Sequence, residues 1–297
     1  MTPPLCPYCD HQAADVHIDT LHGTILRCGR CRGLFARDRR SELERERSGG
    51  TDPGVIEAYE RLIHATADED RDIARRTLDL CLRSVPDARN VLEVGCGSAS
   101  IGRAIDEEYP ALTYRGIESS RQFHQAIAPD LRERVACEPD LYVAAERLAD
   151  VPWDLILFSH VLEHLPRPRD VVDAFARRLA PGGRIYIEVP NEQWKTVQCR
   201  LRALLKPGEP AWFPGHINFF TAGSLRSILA RAGMEVVHLS KGTAGREWST
   251  VVKMMGGRDA FEANRLARAM QATLRWTHFE RVIGYGIILR CLCRPAE

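Results

Sequence analysis

The segment Val91-Leu92-Glu93-Val94-Gly95-Cys96-Gly97-Ser98 decides the fold of this 297-residue chain. Its first half has the apolar character of a buried strand, and the glycines that follow favour a tight turn into a helix, predicted over residues 99–109. A second strand is predicted over residues 113–117 and ends at Glu118. A glycine turn beside a helix N-terminus, with a carboxylate at the tip of the next strand, is typical of nucleotide-binding sites. The third glycine of the dinucleotide pattern is absent, because Ser100 stands there.

Strands and helices alternate beyond this segment. The pattern predicts a strand, a helix and a strand at 153–159, 168–179 and 184–189, then a helix at 221–232 and closing strands at 235–239 and 249–254. Such alternation is typical of a parallel sheet that helices cover on both faces. We therefore predict an α/β fold with a Rossmann-like, doubly wound sheet.

Four cysteines near the N-terminus form two pairs with the spacing of a zinc site. Cys6 and Cys9 are followed by Cys28 and Cys31, so that each pair can present two thiolates to one ion. Residues between the pairs favour short strands around a turn at 22–23, and a segment of this size gains stability from a metal. Because all four ligands are cysteines, we predict a structural Zn2+ with no open coordination position. A redox pair or unrelated thiols are the alternatives.

The chain divides into four predicted regions. Residues 1–45 form a zinc-ribbon-like domain with four cysteine ligands, 46–86 a linker and helical lead-in, 87–256 the α/β domain and 257–297 a C-terminal helical tail. The tail has apolar positions at helical spacing. The tail has three possible roles: it packs on the sheet, closes the site or forms a homodimer contact.

Charge and hydropathy favour a cytoplasmic protein without a membrane span. The net charge is +1, so no global attraction to nucleic acid or acidic membranes is expected. The most apolar run, residues 282–293, is shorter than the ~20 residues of a spanning helix. The N-terminus lacks the basic start and apolar core of a signal peptide.

At these motifs the sequence resembles class I S-adenosylmethionine (SAM)-dependent methyltransferases. The matching segments are VLEVGCGSAS, YRGIESS, WDLILFSHVLEHLPRP and PGGRIYIEVPN, in the order and at the spacing of that family. They extend over about residues 85–255. The resemblance implies that SAM is the cofactor and that the chain is an enzyme.

The resemblance also implies a role for individual residues. Glu93 would lie near the methionine amino group, and the backbone of Gly95, Cys96 and Gly97 beneath the cofactor. Glu118 and Ser119 would hold the ribose, and Ser159 and His160 would line the methionine side. For the adenine contact, Asp140 and Glu138 are the alternatives. These assignments are expectations that rest on the family pattern.

Two histidines are candidates for contact with the methyl acceptor. His164 lies just beyond the strand at 153–159, and His216 lies where similar methyltransferases often carry a histidine. An imidazole can remove a proton from a nucleophile near neutral pH. For His164 the alternative is a histidine that orders its loop by hydrogen bonding. The stretch from His160 to His164 also matches the H-x-x-E-H pattern of a zinc-peptidase class, but the strand before it favours the methyltransferase loop.

The sequence is compatible with three functions. We favour methyl transfer to a small molecule, such as a secondary metabolite or a nucleotide-linked sugar, because the net charge is close to zero, an aromatic insertion precedes residue 221 and a predicted zinc ribbon lies ahead of the α/β domain. That insertion contains Trp194, Trp212, Phe213, Phe219 and Phe220. RNA methylation is the alternative, since six arginines cluster beside the second cysteine pair: Arg27, Arg30, Arg32, Arg37, Arg39 and Arg40. A non-catalytic binding module is the third, and the complete glycine turn argues against it.

Overall fold

A computed structural model describes residues 4–12, 14–20, 23–38, 70–148, 150–192, 216–242 and 288–296. Several predicted features lie outside these residues: most of the linker, three aromatic residues of the insertion (Trp194, Trp212 and Phe213), the strand at 249–254 and the tail from 257 to 287. Among the helices of the described residues, none is long and apolar enough to span a membrane.

The described residues form two sheets. In chain order the strands are β1 (Ala14–Thr20), β2 (Gly23–Cys28), β3 (Leu34–Ala36), β4 (Asn90–Val94), β5 (Thr113–Glu118), β6 (Val135–Cys137), β7 (Trp153–Ser159), β8 (Leu179–Pro190), β9 (Asn218–Phe219), β10 (Met234–Gly242) and β11 (Ile288–Pro295). The main sheet has the order β10-β11-β8-β7-β4-β5-β6, and the small sheet the order β1-β2-β3-β9. Strands β4 to β8 are mutually parallel, which confirms the predicted α/β class.

Helices cover both faces of the main sheet. They are α1 (residues 70–82), α2 (Ser100–Glu108), α3 (Arg121–Ala126), α4 (Pro129–Arg132), α5 (Leu141–Arg147), α6 (Pro168–Ala176) and α7 (Ala222–Arg231). Successive residues of a strand point to opposite faces, and β7 shows the consequence. Leu155 and Leu157 join the core beneath α1 and α2, while Ile156 and Phe158 join the core beneath α5, α6 and α7. The sheet is therefore doubly wound, as predicted.

The helix predicted at 221–232 has the expected boundaries. Thr221 accepts a hydrogen bond from the Ser224 amide, and the Ser224 hydroxyl in turn accepts from the Thr221 amide, which completes a capping box. Gly233 follows the helix with φ of +66°, a conformation that ends helices and favours glycine. Local sequence signals therefore define both ends of α7.

The prediction of a helical tail is wrong for residues 288–295. They form β11, an antiparallel strand inserted between β8 and β10. Short apolar runs such as this one do not distinguish a buried strand from a buried helix by periodicity alone. Cys291 and Cys293 are fully buried in the sheet. The C-terminal residues thus belong to the α/β domain itself.

The N-terminal segment shares its sheet with the α/β domain. Strands β1 and β2 form the predicted hairpin, and β3 pairs with β9, which comes from the segment just before α7. The Ala36 amide also donates to the Ile217 carbonyl oxygen at 2.9 Å. Asp10 forms an ion pair with Arg169 on α6. This N-terminal segment with the four cysteines, called the ribbon below, is therefore an integral part of the domain rather than a separate unit joined to it by a linker.

Gly33 allows the ribbon to pack around Tyr8. A Cβ atom at this position would overlap the Tyr8 ring and lie 3.3 Å from Cys31 Sγ, and Tyr8 is fully buried with its hydroxyl bound to the Leu34 carbonyl oxygen. We expect Gly33→Ala to lower the free energy of unfolding by about 1–3 kcal/mol, as other overpacked cores do. Gly223→Ala is the matched control, because its Cβ would meet only Thr221 Oγ1 at 3.8 Å. Equal denaturation midpoints for the two variants would contradict the packing argument.

Candidate functional site

The turn after β4 contains two glycines in the left-handed backbone region. The φ angles are +71° at Gly95 and +53° at Gly97, which side chains rarely tolerate. The amides of Gly95 and Cys96 both donate to the Ile117 carbonyl oxygen, at 2.8 and 3.0 Å, and tie the turn to β5. A Cβ atom at Gly95 would overlap Val161 Cγ2. The glycine turn therefore packs directly against the loop that follows β7.

Glu118 ends β5 and faces this turn. Its Oε2 accepts from the Gly97 amide at 2.9 Å, and its Oε1 accepts from the Ser120 amide at 2.8 Å. Burial raises the pKa of the Glu118 carboxyl, and the Ser120 and Gly97 amides oppose that rise. Ser119 beside it is half-buried. The carboxylate thus lies at the sheet edge where the resemblance places the ribose.

Glu93 is a second buried carboxyl group, one strand away. It is 4% exposed, and its Oε2 accepts a hydrogen bond from the Tyr114 hydroxyl at 2.8 Å. Burial raises the pKa of Glu93 to about 8; the Tyr114 hydrogen bond opposes this rise, and the nearby charge of Glu118 adds to it. A cation bound beside Glu93 would favour its charged form.

The two candidates for the adenine contact have partners within the protein. Asp140 caps α5 by accepting hydrogen bonds from the amides of Tyr142 and Val143. Glu138 accepts from Arg147 at 2.6 Å, and its own amide donates to the Glu118 carbonyl oxygen at 3.0 Å. Glu138 is therefore adjacent to the ribose candidate, and the adenine assignment stays a prediction.

His160 follows Ser159 at the end of β7 in a strained backbone conformation. Its φ is +55°, and such outliers concentrate at functional sites. Its Nδ1 lies 3.2 Å from Glu163 Oε1, and its Nε2 lies 3.4 Å from Glu188 Oε1. Burial opposes the protonated imidazole, but the hydrogen bonds to Glu163 and Glu188 outweigh it and raise the pKa of His160. Since both ring nitrogens face carboxylates, the zinc-peptidase geometry is not formed.

Strand β11 contributes to the same network. Arg290 Nε donates to Glu188 Oε2 at 2.7 Å, and the Tyr186 hydroxyl donates to the same oxygen at 2.8 Å. Burial raises the pKa of Glu188, but the hydrogen bond to His160 and the charge of Arg290 outweigh burial and lower that pKa to about 2. Arg290 was missed by the sequence analysis because its segment was predicted as a helix.

The structure brings together the two predicted acceptor-contacting histidines. The ring centroids of His164 and His216 lie 5.0 Å apart, and His216 Nδ1 lies 3.0 Å from Oε1 of the fully buried Glu192. Glu163 is also fully buried beside them. Neither carboxylate could be recognised as a site residue from the sequence. Glu163 was visible only inside the H-x-x-E-H pattern, and no local pattern marks Glu192.

The four cysteines of the N-terminal segment converge as predicted. Their sulfur atoms all lie within 4.8 Å of one another, with Cys6 and Cys31 at 3.6 Å and Cys9 and Cys28 at 3.5 Å. Tetrahedral zinc with Zn–S bonds of ~2.3 Å sets its sulfurs about 3.8 Å apart. The Arg30 and Cys31 amides point at Cys28 Sγ, at 3.4 and 3.5 Å. The donor set therefore fits a zinc ion.

Comparison with known proteins identifies the family. A family model described as "Methyltransferase domain" matches residues 61–239, which is more than half of the chain. The chain belongs to the methyltransferase domain family. The match includes the glycine turn, Glu93, Glu118, the loop after β7 and His216. The predicted site therefore lies almost entirely within the methyltransferase domain, and the cysteine pairs lie outside the matched range.

Curated relatives share this domain in part. The chain is 30% identical over 111 residues to the ubiquinone biosynthesis O-methyltransferase of Idiomarina loihiensis, covering 36% of this chain and 45% of that protein. It is 30% identical over 155 residues to the protein of the same name from Ralstonia nicotianae, covering 48% of this chain and 64% of that protein. The chain thus spans about half to two thirds of the length of these relatives.

Solved structures extend the likeness to the fold. The plantazolicin methyltransferase BamL, in complex with a triazolic desmethylPZN analog and SAH, superposes with a TM-score of 0.55 at 15% identity, covering 85% of this chain and 94% of that one. BpumL, in complex with a monoazolic analog and SAH, gives 0.55 at 14% identity, covering 87% and 95%. At these identities the likeness shows that the methyltransferase domain has the Rossmann-like fold predicted from the sequence.

Proposed function

We propose that the protein transfers a methyl group from SAM to a small-molecule acceptor. The observation that carries this proposal is the pair of buried carboxylates, Glu93 and Glu118, that flank the glycine turn at the ends of two adjacent strands. SAM presents one ammonium group and one ribose diol, and each of these can donate hydrogen bonds to one of the two carboxylates. The sulfonium supplies an electrophilic methyl group, so the protein need only align the acceptor and allow its proton to leave.

A small-molecule acceptor is supported by the position of the histidine pair. His216 is 9% exposed, and both histidines lie at the carboxyl end of the parallel strands, where α/β sheets bind ligands. The named relatives act in ubiquinone biosynthesis, which also involves small molecules. The docked ribbon supports a structural role for zinc, because its sheet includes the strand that follows His216.

RNA is the alternative acceptor, and one feature favours it. Arg30, Arg32 and Arg37 are exposed on the ribbon, where they can contact phosphates. Arg39 and Arg40 lie outside the described residues. A different feature argues against RNA. The ribbon sheet includes β9, a strand from the methyltransferase domain, and this arrangement is expected of a structural support rather than of a nucleic-acid-binding module.

The acceptor class is tested by methyl-label transfer from labelled SAM into a host extract, followed by nuclease digestion and size fractionation. We expect label in the small-molecule fraction, insensitive to nuclease. Label in nuclease-sensitive material of high mass would establish the RNA alternative. Failure to bind SAM in calorimetry, in a folded and zinc-loaded sample, would overturn methyl transfer altogether.

The raised pKa of Glu93 predicts a pH dependence of SAM binding. Below pH 8 the free protein holds Glu93 protonated, and the SAM ammonium favours the carboxylate, so binding releases a proton. We expect the affinity for SAM to rise between pH 6 and 7.5, by up to about tenfold per pH unit. In the absence of SAM, stability should fall as the pH rises from 4.5 to 8, since only the folded state retains the proton there.

Calorimetry in buffers of different ionisation enthalpy measures this proton release. Glu93→Gln should bind SAM more weakly and lose the pH dependence. Glu133→Gln, a change at an exposed glutamate, is the control and should retain it. A wild-type affinity that stays constant between pH 6 and 7.5 would contradict a protonated Glu93.

A further inference from the structure

The cluster of Glu163, His164 and His216 has the composition of a metal site. Each residue offers one ligand atom, and these atoms all lie within 4.8 Å of one another. Metal–nitrogen and metal–oxygen bonds of ~2.1 Å set neighbouring ligand atoms about 3–3.5 Å apart, so small side-chain rotations bring the three into range. We propose that these residues form a second metal site, separate from the cysteines, that takes a divalent transition-metal cation.

Glu163 is the strongest part of this argument. Its side chain is 1% exposed, and within the described ranges no hydrogen-bond partner reaches its Oε2. A buried carboxylate oxygen without a partner is costly, and a cation would satisfy it. The opposite oxygen, Oε1, lies 3.2 Å from His160 Nδ1, so Glu163 has one oxygen held by the protein and one available for a ligand.

The histidine ligands are held in position by the surrounding structure. His216 Nδ1 lies 3.0 Å from Glu192 Oε1, a carboxylate–histidine contact of the kind that orients histidine ligands in known metal sites. Asn218 Nδ2 donates to the carbonyl oxygens of Leu162 and Leu165, on either side of Glu163 and His164. The Ile217 amide donates to the Glu163 carbonyl oxygen at 2.9 Å. Three hydrogen bonds thus fix the two ligand-bearing segments against each other.

Two imidazoles and one carboxylate leave coordination positions open and suit Zn2+, Mn2+, Fe2+ or Co2+ better than Mg2+ or Ca2+. The site lies beside the glycine turn, because Val161 contacts that turn and lies two residues before Glu163.

The use of this metal site in the reaction rests on the proposed function. A hydroxyl of the acceptor bound to the cation would lose its proton to water. Its oxygen would then form a bond to the methyl carbon as the S–C bond breaks and leaves a neutral thioether.

This assignment makes His164 and His216 ligands rather than general bases. It also commits the acceptor to an oxygen nucleophile, since the cation acts by lowering the pKa of a bound hydroxyl. The relatives named O-methyltransferases agree with that chemistry.

Titration of the zinc-loaded full chain with Co2+ tests the site directly. We expect one saturable equivalent of Co2+ with ligand-field absorption but no sulfur-to-cobalt charge-transfer band, because the cysteines already hold zinc. Glu163→Gln and His216→Ala should each weaken Co2+ binding at least ~100-fold, and Glu192→Gln by ~10- to 100-fold, as loss of an outer partner does. His238→Ala, at an exposed histidine of β10, is the control and should bind as the wild type does.

Two results would overturn the proposal: no saturable Co2+ binding by the wild type, or binding that Glu163→Gln and His216→Ala both leave unchanged. Zinc content and melting temperature establish that each variant is folded. If Glu163→Gln does not fold, His164→Ala replaces it as the test variant. SAM calorimetry on the wild-type protein separates the two proposals. A wild type that binds SAM but shows no saturable Co2+ binding refutes the metal site alone, and a wild type that binds Co2+ but not SAM refutes the methyl-transfer function alone.

Discussion

Gly95→Arg is expected to abolish SAM binding while leaving the protein folded. The residue has φ of +71°, and a Cβ atom there would overlap Val161. The arginine would therefore displace the glycine turn. With SAM bound over this turn as proposed, it would also fill the space beneath the cofactor and place a positive charge near the sulfonium. We expect the dissociation constant to rise at least ~100-fold, which corresponds to about 2.7 kcal/mol. Isothermal titration calorimetry with SAM and with its demethylated product measures the effect.

Gly233→Arg is the matched control for this variant. Gly233 has nearly the same backbone angle, +66°, but no atom lies within 4 Å of a Cβ placed there. The two substitutions share the side chain and the backbone strain and differ only in what the new side chain meets. A normal affinity in Gly95→Arg, or an equal loss in Gly233→Arg, would show that the cofactor does not bind over this turn.

Cys28→Ser is expected to abolish the proposed zinc binding and to lower both stability and activity. Cys28 Sγ is paired with Cys9 Sγ and faces two backbone amides, so serine removes a ligand from the centre of the cluster. Zinc binding contributes on the order of 10 kcal/mol in small structural sites. Even a loss of about 2–3 kcal/mol lowers the melting temperature of a domain this size by roughly 5–10 °C.

The effect on activity follows from the shared sheet. Strand β3 pairs with β9, and β9 begins two residues after His216, so disorder of the ribbon should reach the histidine pair. We expect methyl transfer to fall along with zinc content, while SAM binding at the glycine turn, which follows a strand of the main sheet, is reduced less. Cys137→Ser, at an exposed cysteine of β6, is the control. Unchanged metal content in Cys28→Ser, measured by mass spectrometry, would refute the zinc site.

Much of the fold follows from short stretches of sequence. The glycine turn could be predicted because only glycine readily adopts the backbone angles that it requires, and α7 because Thr221 and Gly233 mark its ends. Strand β7 could be predicted from its continuous apolar run, which is buried on both faces of a parallel sheet. In each case the physical cause lies within a few residues of the signal.

The candidate site could be predicted only in part. His164 could be identified from its place just beyond a predicted strand and His216 from the family pattern, but the buried carboxylates beside them could not. Glu192 becomes a site residue only because the segment carrying His216 folds back next to the end of β8, where the Glu192 amide donates to the Phe220 carbonyl oxygen at 2.8 Å. Arg290 likewise reaches Glu188 only because β11 pairs with β8.

The sequence by itself determined the α/β class, the glycine turn and its two carboxylates, and the grouping of the four N-terminal cysteines as one set of metal ligands. These features depend on backbone preferences, on periodicity and on ligand spacing, all of which are local. The tertiary structure alone decided that the ribbon shares a sheet with the methyltransferase domain, that the C-terminal residues form a strand between β8 and β10, and that Glu163, His164 and His216 meet. Pairing between distant strands depends on which edges are available once the core has formed, and no short segment of sequence contains that information.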